Sequence, residues 1–396
     1  MRQTILGLLA TALACRPSQA SDARITDSAG VRIVAYAALP LRTPTWVVDT
    51  IPRVLLAGMT ADSSPVLLDP IGAMHLSDGS IAVADRGASA VKYFDSTGQF
   101  ERVVGRPGHG PAEFDFLATL MACGGDSAFA YDIGNELVSV IAPDGSVTRR
   151  FHPQALNNGI PYVWACSRAG RHIMSDWPQL SPPFHPEPFR PLVAVGLAGP
   201  EAQTSVRLGQ FLGTEMVAWG RGVSPRVLGR WLRVSMADSL AWMADNATPT
   251  VRAYDLAGHL QLELRPPIRE RSVGDQEWRF QHQFARDSAA SDAGRQRVDQ
   301  FFVTSPPPKT LPPIQALMTD PAGRLWLRPH RTREDPNPLW QVFSPVGTLL
   351  ALARLPSRLT AVYEIGQNYI LGALEDTDGA LVVVEYPLAH SGASGP

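Results

Sequence analysis

The fold is decided by the stretch Ile71-Gly-Ala-Met-His-Leu-Ser-Asp-Gly-Ser-Ile-Ala-Val-Ala-Asp85. It contains two short apolar segments joined by a Ser-Asp-Gly turn, which is the pattern of a β-hairpin. A third segment, Val91-Lys-Tyr-Phe-Asp-Ser-Thr-Gly98, follows directly, and residues 99–104 form a fourth. Four short strands joined by tight turns predict one up-and-down antiparallel sheet.

This pattern recurs along the chain with a period of about forty residues, which is typical of propeller blades. Further strand-and-turn units occupy residues 117–151, 162–208, 231–265, 314–355 and 360–386. The Asp-Gly pairs at residues 78–79, 144–145 and 378–379 supply the positive φ that hairpin turns require. A β-sandwich with similar spacing is the alternative. An aromatic residue followed by Asp, or by Ser in the last case, and then by Gly recurs in residues 93–98, 254–258 and 343–347, and this favours an all-β, six-bladed β-propeller.

The last unit lacks a fourth strand, whereas residues 46–56 have β character and no unit of their own. An N-terminal strand that completes the last blade would close the ring and remove its exposed edges. We therefore predict a propeller over residues 46–390, with an insertion at 266–312 between blades four and five. Residues 21–45 are an N-terminal extension, and residues 391–396 form a disordered tail.

Residues 79–98, continuing through Gly105-Arg-Pro-Gly-His-Gly-Pro-Ala-Glu-Phe114, resemble an NHL-type repeat. More narrowly, the chain is similar to the six-bladed propellers of bacterial exported, lipoprotein-like proteins. The resemblance covers most of the chain after its first residues. It implies a fold and no particular activity, because such propellers include both binding proteins and enzymes.

The first twenty residues are typical of an export signal, with Arg2 before a short apolar segment. Ala12-Leu-Ala-Cys15 resembles a lipobox in which Cys15 would be acylated, and cleavage after Ala20 is the alternative. We predict export to the periplasm, or anchoring at the outer membrane through lipid alone. The formal net charge of −2 disfavours nucleic acid as a partner. The chain is predicted to be a monomer.

Cys123 and Cys166 remain after the signal, and each ends the first strand of its blade. Neighbouring first strands converge near the propeller axis, so their Cα atoms could lie within the ~4.4–6.8 Å that a bridge needs. An oxidising compartment favours a disulfide between them, and two buried thiols are the alternative.

The long connections are residues 105–114, 176–191, 266–312 and 329–339. Each follows the second or fourth strand of a blade, so all four lie on one face of the predicted ring, called here the long-loop face. Loops on a rigid scaffold are where binding usually occurs. We therefore expect the ligand, a protein, peptide or glycan, to bind on this face. The candidate residues are Arg106, His109, Glu113, Trp177, Phe184, His185 and Arg331.

The insertion 266–312 is predicted to contain two short helices over the ring. Ser272 and Asp275 form a candidate capping pair for the first helix. Phe280 and Phe284 lie one helical turn apart, and residues 298, 301 and 302 give a second apolar stripe.

No sequence motif of a catalyst is present, and no cofactor is predicted. The segment from Glu375 to Glu385 has part of the spacing of a calcium loop, but it is better interpreted as a hairpin. His75 and Glu364 are the polar residues of the inner strands, too few for an oxygen-rich ion site, and His75 is interpreted as a hydrogen-bonded strand residue. The favoured function is therefore a non-enzymatic binding or scaffold protein of the cell envelope.

Two alternatives remain open. One is a metal-dependent, lactonase-like hydrolase or lyase acting on a small exported substrate. The other is a structural subunit of a larger periplasmic assembly.

Overall fold

Antiparallel sheets of four strands make up most of the protein. The computed structural model describes residues 23–56, 67–123, 126–180, 182, 184, 187–202, 204–377 and 379–390. The predicted signal segment 1–20 with Cys15, the loop residue His185, the turn residue Asp378 and the predicted tail 391–396 lie outside these residues.

The strands follow the order of the repeat. Four precede it: Ala23–Ser28 (β1), Val31–Tyr36 (β2), Thr45–Val48 (β3) and Val54–Leu56 (β4). The first sheet contains Pro70–His75 (β5), Ile81–Asp85 (β6), Ala90–Phe94 (β7) and Phe100–Val104 (β8), with a 3-10 turn at Arg86–Ala88. The second contains Leu117–Ala122 (β9), Ala128–Asp132 (β10), Leu137–Ile141 (β11) and Val147–Phe151 (β12). The third contains Ile160–Cys166 (β13), His172–Trp177 (β14), Leu192–Ala198 (β15) and Thr204–Leu212 (β16), and the hairpin Met216–Trp219 (β17) and Gly222–Pro225 (β18) follows it.

The second half of the chain continues the same arrangement. The fourth sheet contains Arg233–Met236 (β19), Leu240–Ala244 (β20), Val251–Asp255 (β21) and Leu260–Arg265 (β22). The helices Asp275–Asp287 (α1) and Asp292–Thr304 (α2) come next. The fifth sheet contains Ile314–Thr319 (β23), Leu325–Pro329 (β24), Trp340–Phe343 (β25) and Leu349–Arg354 (β26). The last contains Leu359–Ile365 (β27), Tyr369–Glu375 (β28) and Leu381–Ala389 (β29).

The first strands of the sheets lie side by side around a common centre. Contacts run in chain order from β5 through β9, β13 and β19 to β23, and β27 contacts β5. Large side chains such as Trp242, Trp326 and Trp340 are fully buried in the clusters between sheets. Four-stranded sheets with converging first strands are the arrangement of a β-propeller.

A buried acidic residue near the end of the second strand fixes each of the first three sheets. Asp85 accepts hydrogen bonds from the backbone N–H groups of Leu68 and Asp69, which enter the same sheet, at 3.0 and 2.8 Å. Asp132 and Asp176 make the equivalent pairs of bonds in the second and third sheets. These bonds satisfy backbone donors that would otherwise be buried without partners.

The N-terminal segment closes the ring. Strand β4 pairs antiparallel with β29, with Leu56 opposite Val383 and Val54 opposite Glu385, so it supplies the outer strand that the last sheet lacked. Strand β3 also pairs with the end of β29 and runs parallel to β26 of the fifth sheet, so it bridges the two sheets. The hairpin β1–β2, within the segment 21–45, adds to the fourth sheet through a parallel pairing of β2 with β22.

Two helices form in the insertion, as the sequence predicts, but the capping prediction is wrong. Helix α1 begins after Gly274, without a side-chain cap, while Ser272 instead forms a backbone bridge with Thr310. That bridge holds Ser272 in extended backbone, away from the helix terminus. Helix α2 is capped by Ser291, whose hydroxyl accepts a hydrogen bond from Gly294 N–H at 3.1 Å.

The apolar side chains of the helices have different environments. Phe302 is buried against Trp278, with ring centres 4.8 Å apart. Phe301 packs on Trp219 at 5.1 Å, and Trp219 belongs to the hairpin β17–β18, which the sequence pattern did not predict. Phe280 is exposed on α1. Neither described helix has the length and apolar character required to cross a bilayer.

Candidate functional site in the central channel

A polar cavity of ≈ 460 Å³ lies at the centre of the ring, where the first strands end. It opens between the short turns that follow these strands, on the face opposite the long-loop face. A second cavity of ≈ 280 Å³ continues inward along the first strands. We call the two together the channel. Its polar lining residues include His75, Ser167, Arg168, Asp238, Thr319 and Glu364.

A chain of charged side chains joins the first and last sheets at the wall of the channel. His75 Nε2 lies 2.6 Å from Glu385 Oε2, and its Nδ1 lies 3.6 Å from Glu364 Oε2. The backbone N–H of His75 donates to the same Glu364 oxygen at 2.9 Å. The Glu385 side chain is 1% exposed, whereas the Glu364 side chain is 24% exposed and lines the cavity. Glu364 is therefore the more accessible of the two carboxylates in this charged chain, and His75 also lines the cavity.

The two carboxylates keep His75 in its charged form. Burial alone would lower the pKa of His75, but the neighbouring carboxylates of Glu364 and Glu385 outweigh burial and raise it to about 9. For Glu385, burial would raise the pKa, and the contacts with His75 and Arg53 lower it below its ordinary value. An imidazolium flanked by carboxylates therefore lies at the channel wall at neutral pH.

Tyr369 packs edge-on against the His75 ring, with ring centres 4.3 Å apart. Burial, together with the neighbouring Glu364 carboxylate, raises the pKa of its phenol. Tyr369 is therefore a neutral hydroxyl beside the charged chain, where it can donate a hydrogen bond.

The charged chain extends to the segment that closes the ring. Arg53, between β3 and β4, contacts the Glu385 carboxylate with its guanidinium group and donates its backbone N–H to the Glu385 carbonyl at 2.7 Å. The interpretation of His75 as a hydrogen-bonded strand residue agrees with this geometry. Glu385 and Arg53 were not identified as partners from the sequence. The one available signal was a glutamate within the apolar run Leu-Val-Val-Val-Glu385-Tyr.

The cysteine pair also lies beside the channel. Cys123 and Cys166 are joined in a disulfide with Cα atoms 5.2 Å apart, and the bond links the ends of the first strands of the second and third sheets. Cys166 lines the channel.

The candidate residues on the long-loop face belong to separate local networks. Arg106 pairs with Glu113 at 2.7 Å, and His109 Nδ1 lies 2.5 Å from Asn135 Oδ1. Trp177 borders an apolar cavity of ≈ 30 Å³. Phe184 is partly buried, and Arg331 is exposed, with its backbone N–H bonded to Gln315 at 3.3 Å. Among the described residues, the loops that carry Arg106, Trp177 and Arg331 are not hydrogen-bonded to one another, although the Arg331 loop is joined to helix α1 through Arg333 N–H and Glu277 at 3.0 Å.

The donor set of the channel does not fit a metal ion. In the part of the chain that the structure describes, the group with metal-ligand spacing is Cys123, Cys166 and His172, and its two thiols form the disulfide. Asp238 and Asp320 also line the channel, but among the described residues they form no group of three ligand atoms within 4.8 Å with His75 and Glu364, as a calcium or zinc site would require. The segment that partly matches a calcium loop instead forms the hairpin β28–β29.

The chain has no match among family models and none among curated proteins. Its similarity to solved structures is weak. A gluconolactonase from Xanthomonas campestris has a TM-score of 0.45 at 11% identity, over 87% of this chain and 98% of that one. Virginiamycin B lyase from Staphylococcus aureus has a TM-score of 0.40 at 10% identity, over 88% and 95%. A calcium-binding protein, regucalcin, from Agrobacterium tumefaciens has a TM-score of 0.40 at 8% identity, over 87% and 96%. Similarities of this size carry no argument about activity, and the fold assignment rests on the strand pairing.

Proposed function

We propose that the protein is a metal-independent hydrolase or lyase that acts on a small polar substrate in the channel. The observation that carries this proposal is Glu364, a carboxylate that is exposed to a ≈ 460 Å³ cavity and contacts the partly buried imidazolium of His75. The cavity volume lies within the range of about 300–1,000 Å³ that is usual for small-molecule sites.

The residues of the charged chain at the channel wall take different roles in this reaction. Glu364 is the general base that accepts a proton from the substrate or from a water molecule. His75 is a positioning residue, because its backbone N–H and imidazolium ring fix the Glu364 carboxylate from behind. Glu385 orients the His75 ring through Nε2. Arg168, exposed at the rim of the cavity, offers a positive charge to an anionic substrate.

A binding role on the long-loop face, the function that the sequence favours, has less support from the structure. The cavity beside Trp177 has a volume of ≈ 30 Å³, which suits a water molecule rather than a sugar or peptide side chain. Binding without catalysis would use the same channel, and the following experiment distinguishes the two.

Turnover of a panel of lactones, esters and uronic acid glycosides is measured with chelator-treated protein. We expect Glu364→Gln to lower kcat/KM by about 10²–10⁴-fold, because it removes the general base. Glu101→Gln, which changes an exposed glutamate on the outer strand β8, is the matched control and should retain full activity. The proposal would be contradicted if the untreated protein turned over a substrate that the chelator-treated protein did not, or if Glu364→Gln retained full activity. Ligand binding without turnover would identify a binding protein.

We also propose that the ring contains six blades and that the chain is exported as a monomer. The six first strands that surround the channel support the blade count, and Ala12-Leu-Ala-Cys15 supports lipid anchoring at the outer membrane. The mass of the mature protein tests the export: an acylated Cys15, or an N-terminus at Ser21, is expected, and an uncleaved chain in the cytoplasm would contradict it.

A further inference from the structure

Three arginine side chains lie at the opposite end of the ring from the channel mouth. Arg233 begins β19, whose other end, Met236, lines the cavity. Arg328 lies near the end of β24, which runs antiparallel to β23, and Arg331 follows two residues after that strand. We call Arg233, Arg328 and Arg331 the arginine cluster. It lies on the long-loop face.

The cluster has no ion-pair partner among the described residues. No carboxylate oxygen of those residues lies within 4.0 Å, the limit for an ion pair, of any of the three guanidinium groups. Arg226, in contrast, pairs with Glu215 at 2.6 Å. The Nε atoms of Arg233 and Arg328 are buried and have no hydrogen-bond partner in the described part of the chain. Both donor atoms therefore lack the partner that buried polar groups normally have.

Aromatic rings support two of these side chains. Arg233 lies over the ring of Trp231, 5.6 Å from its centre, and Arg328 lies over Trp340 at 5.9 Å. A guanidinium that stacks on an aromatic face keeps its edge and its N–H donors free for a planar anion. The aromatic contacts hold the side chains of Arg233 and Arg328 in place, and their Nε donors have no hydrogen-bond partner among the described residues.

Arg233 and Arg331 both act electrostatically on His330, and Arg331 also acts on Arg328. Burial lowers the pKa of His330, and the charges of Arg331 and Arg233 lower it further. Burial also lowers the pKa of Arg328, followed by the charge of Arg331. Glu277 and Asp335 act in the opposite direction on His330 and Arg328, but each has less effect than Arg331. Positive charge in a partly desolvated region destabilises the protein unless an anion offsets it.

We propose that the arginine cluster binds a small oxyanion, a carboxylate or a phosphate group. Guanidinium groups bind such anions through paired, charge-assisted hydrogen bonds, and the free donors of Arg233 and Arg328 are suited to this. The site is separate from Glu364 and the channel mouth, so it does not depend on the proposed catalytic function.

Calorimetric titration of the full chain with sodium phosphate and, separately, sodium acetate tests the proposal, with chloride at constant total ionic strength. We expect saturable binding, and Arg233→Met and Arg328→Met should each weaken it by about tenfold or more, since a hydrogen bond to a charged group contributes about 1.5–3 kcal/mol. Arg24→Met, which removes an equal charge from the exposed strand β1, is the matched control and should bind as the unmodified chain does. The anion that binds more tightly identifies the ligand class.

Thermal unfolding provides a second measurement. In chloride alone, Arg233→Met is expected to be at least as stable as the unmodified chain, because it removes a partly buried cation that has no partner. Only the unmodified chain and Arg24→Met should gain stability on addition of the oxyanion. Absence of binding to both anions, equal binding by Arg233→Met, or an equal loss in Arg24→Met would overturn the proposal.

Discussion

A protein lacking residues 1–56 is expected not to fold, whereas one lacking only residues 1–42 is expected to fold. The longer deletion removes β3 and β4, and with them the buried side chains of Trp46, Val48, Val54 and Leu56. Burying four such side chains contributes about 6–12 kcal/mol at 1.5–3 kcal/mol each. This is comparable to the whole net stability of a domain, about 5–15 kcal/mol. The deletion also leaves the edge of β29 unpaired.

The shorter deletion removes the hairpin β1–β2 from the outside of the fourth sheet, and its main cost is the loss of the buried Val34 and of the Tyr36 hydroxyl, which accepts a hydrogen bond from Leu349 N–H at 2.7 Å. Soluble yield, circular dichroism and urea unfolding of the two proteins are compared at equal concentration. A folded, cooperative 57–396 protein would show that the N-terminal segment does not close the ring.

The second large effect is expected from His75→Leu, which should lower the free energy of unfolding by about 3 kcal/mol at pH 7. The reason is that Glu385, which is 1% exposed, loses one of its two cationic partners and remains a buried charge. The double variant His75→Leu/Glu385→Leu is expected to recover part of this loss, because no buried charge is then left without its partner. Urea unfolding at pH 7 measures both. A double variant less stable than the sum of the two single changes would contradict this explanation.

The stability difference between the unmodified chain and His75→Leu should depend on pH. The pKa of His75 rises from 6.5 in the unfolded chain to about 9 in the folded protein, so its contribution is fully present below pH 6.5. It is lost as the pH rises through about 9. Glu385 has the opposite shift, so its contribution is present above its unfolded pKa of 4.5 and is lost as the pH falls below that value. The difference should therefore shrink at both extremes of pH.

Local signals allowed much of the fold to be predicted from the sequence. Hairpin turns with Asp-Gly pairs and alternating apolar residues define each sheet within about forty residues of chain. The closing strand was predictable because the last unit lacked a partner. The hairpin β1–β2 was not, because β2 pairs in parallel with β22, more than 200 residues away, and nothing local to residues 23–36 indicates that partner.

The candidate site was only partly predictable for the same reason. His75 and Glu364 were identified as polar residues of the inner strands, but two groups did not indicate a charged chain. Glu385 reaches His75 because β29 and β5 become neighbours at ring closure, and Arg53 reaches Glu385 through the register of β4. The error at Ser272 has a similar origin, because a bridge to Thr310 outweighs a local capping preference.

The most direct test of the account is the ionisation of His75 in the folded protein. Nuclear magnetic resonance of the histidine ring nitrogens, recorded from pH 5 to pH 10.5 and assigned by the signal missing in His75→Leu, gives its pKa. The charged chain of Glu364, His75 and Glu385 predicts a value of about 9, with the imidazolium intact at neutral pH. Titration at about 6.5, the value of a free histidine, would show that the two carboxylates do not hold His75 at the channel wall.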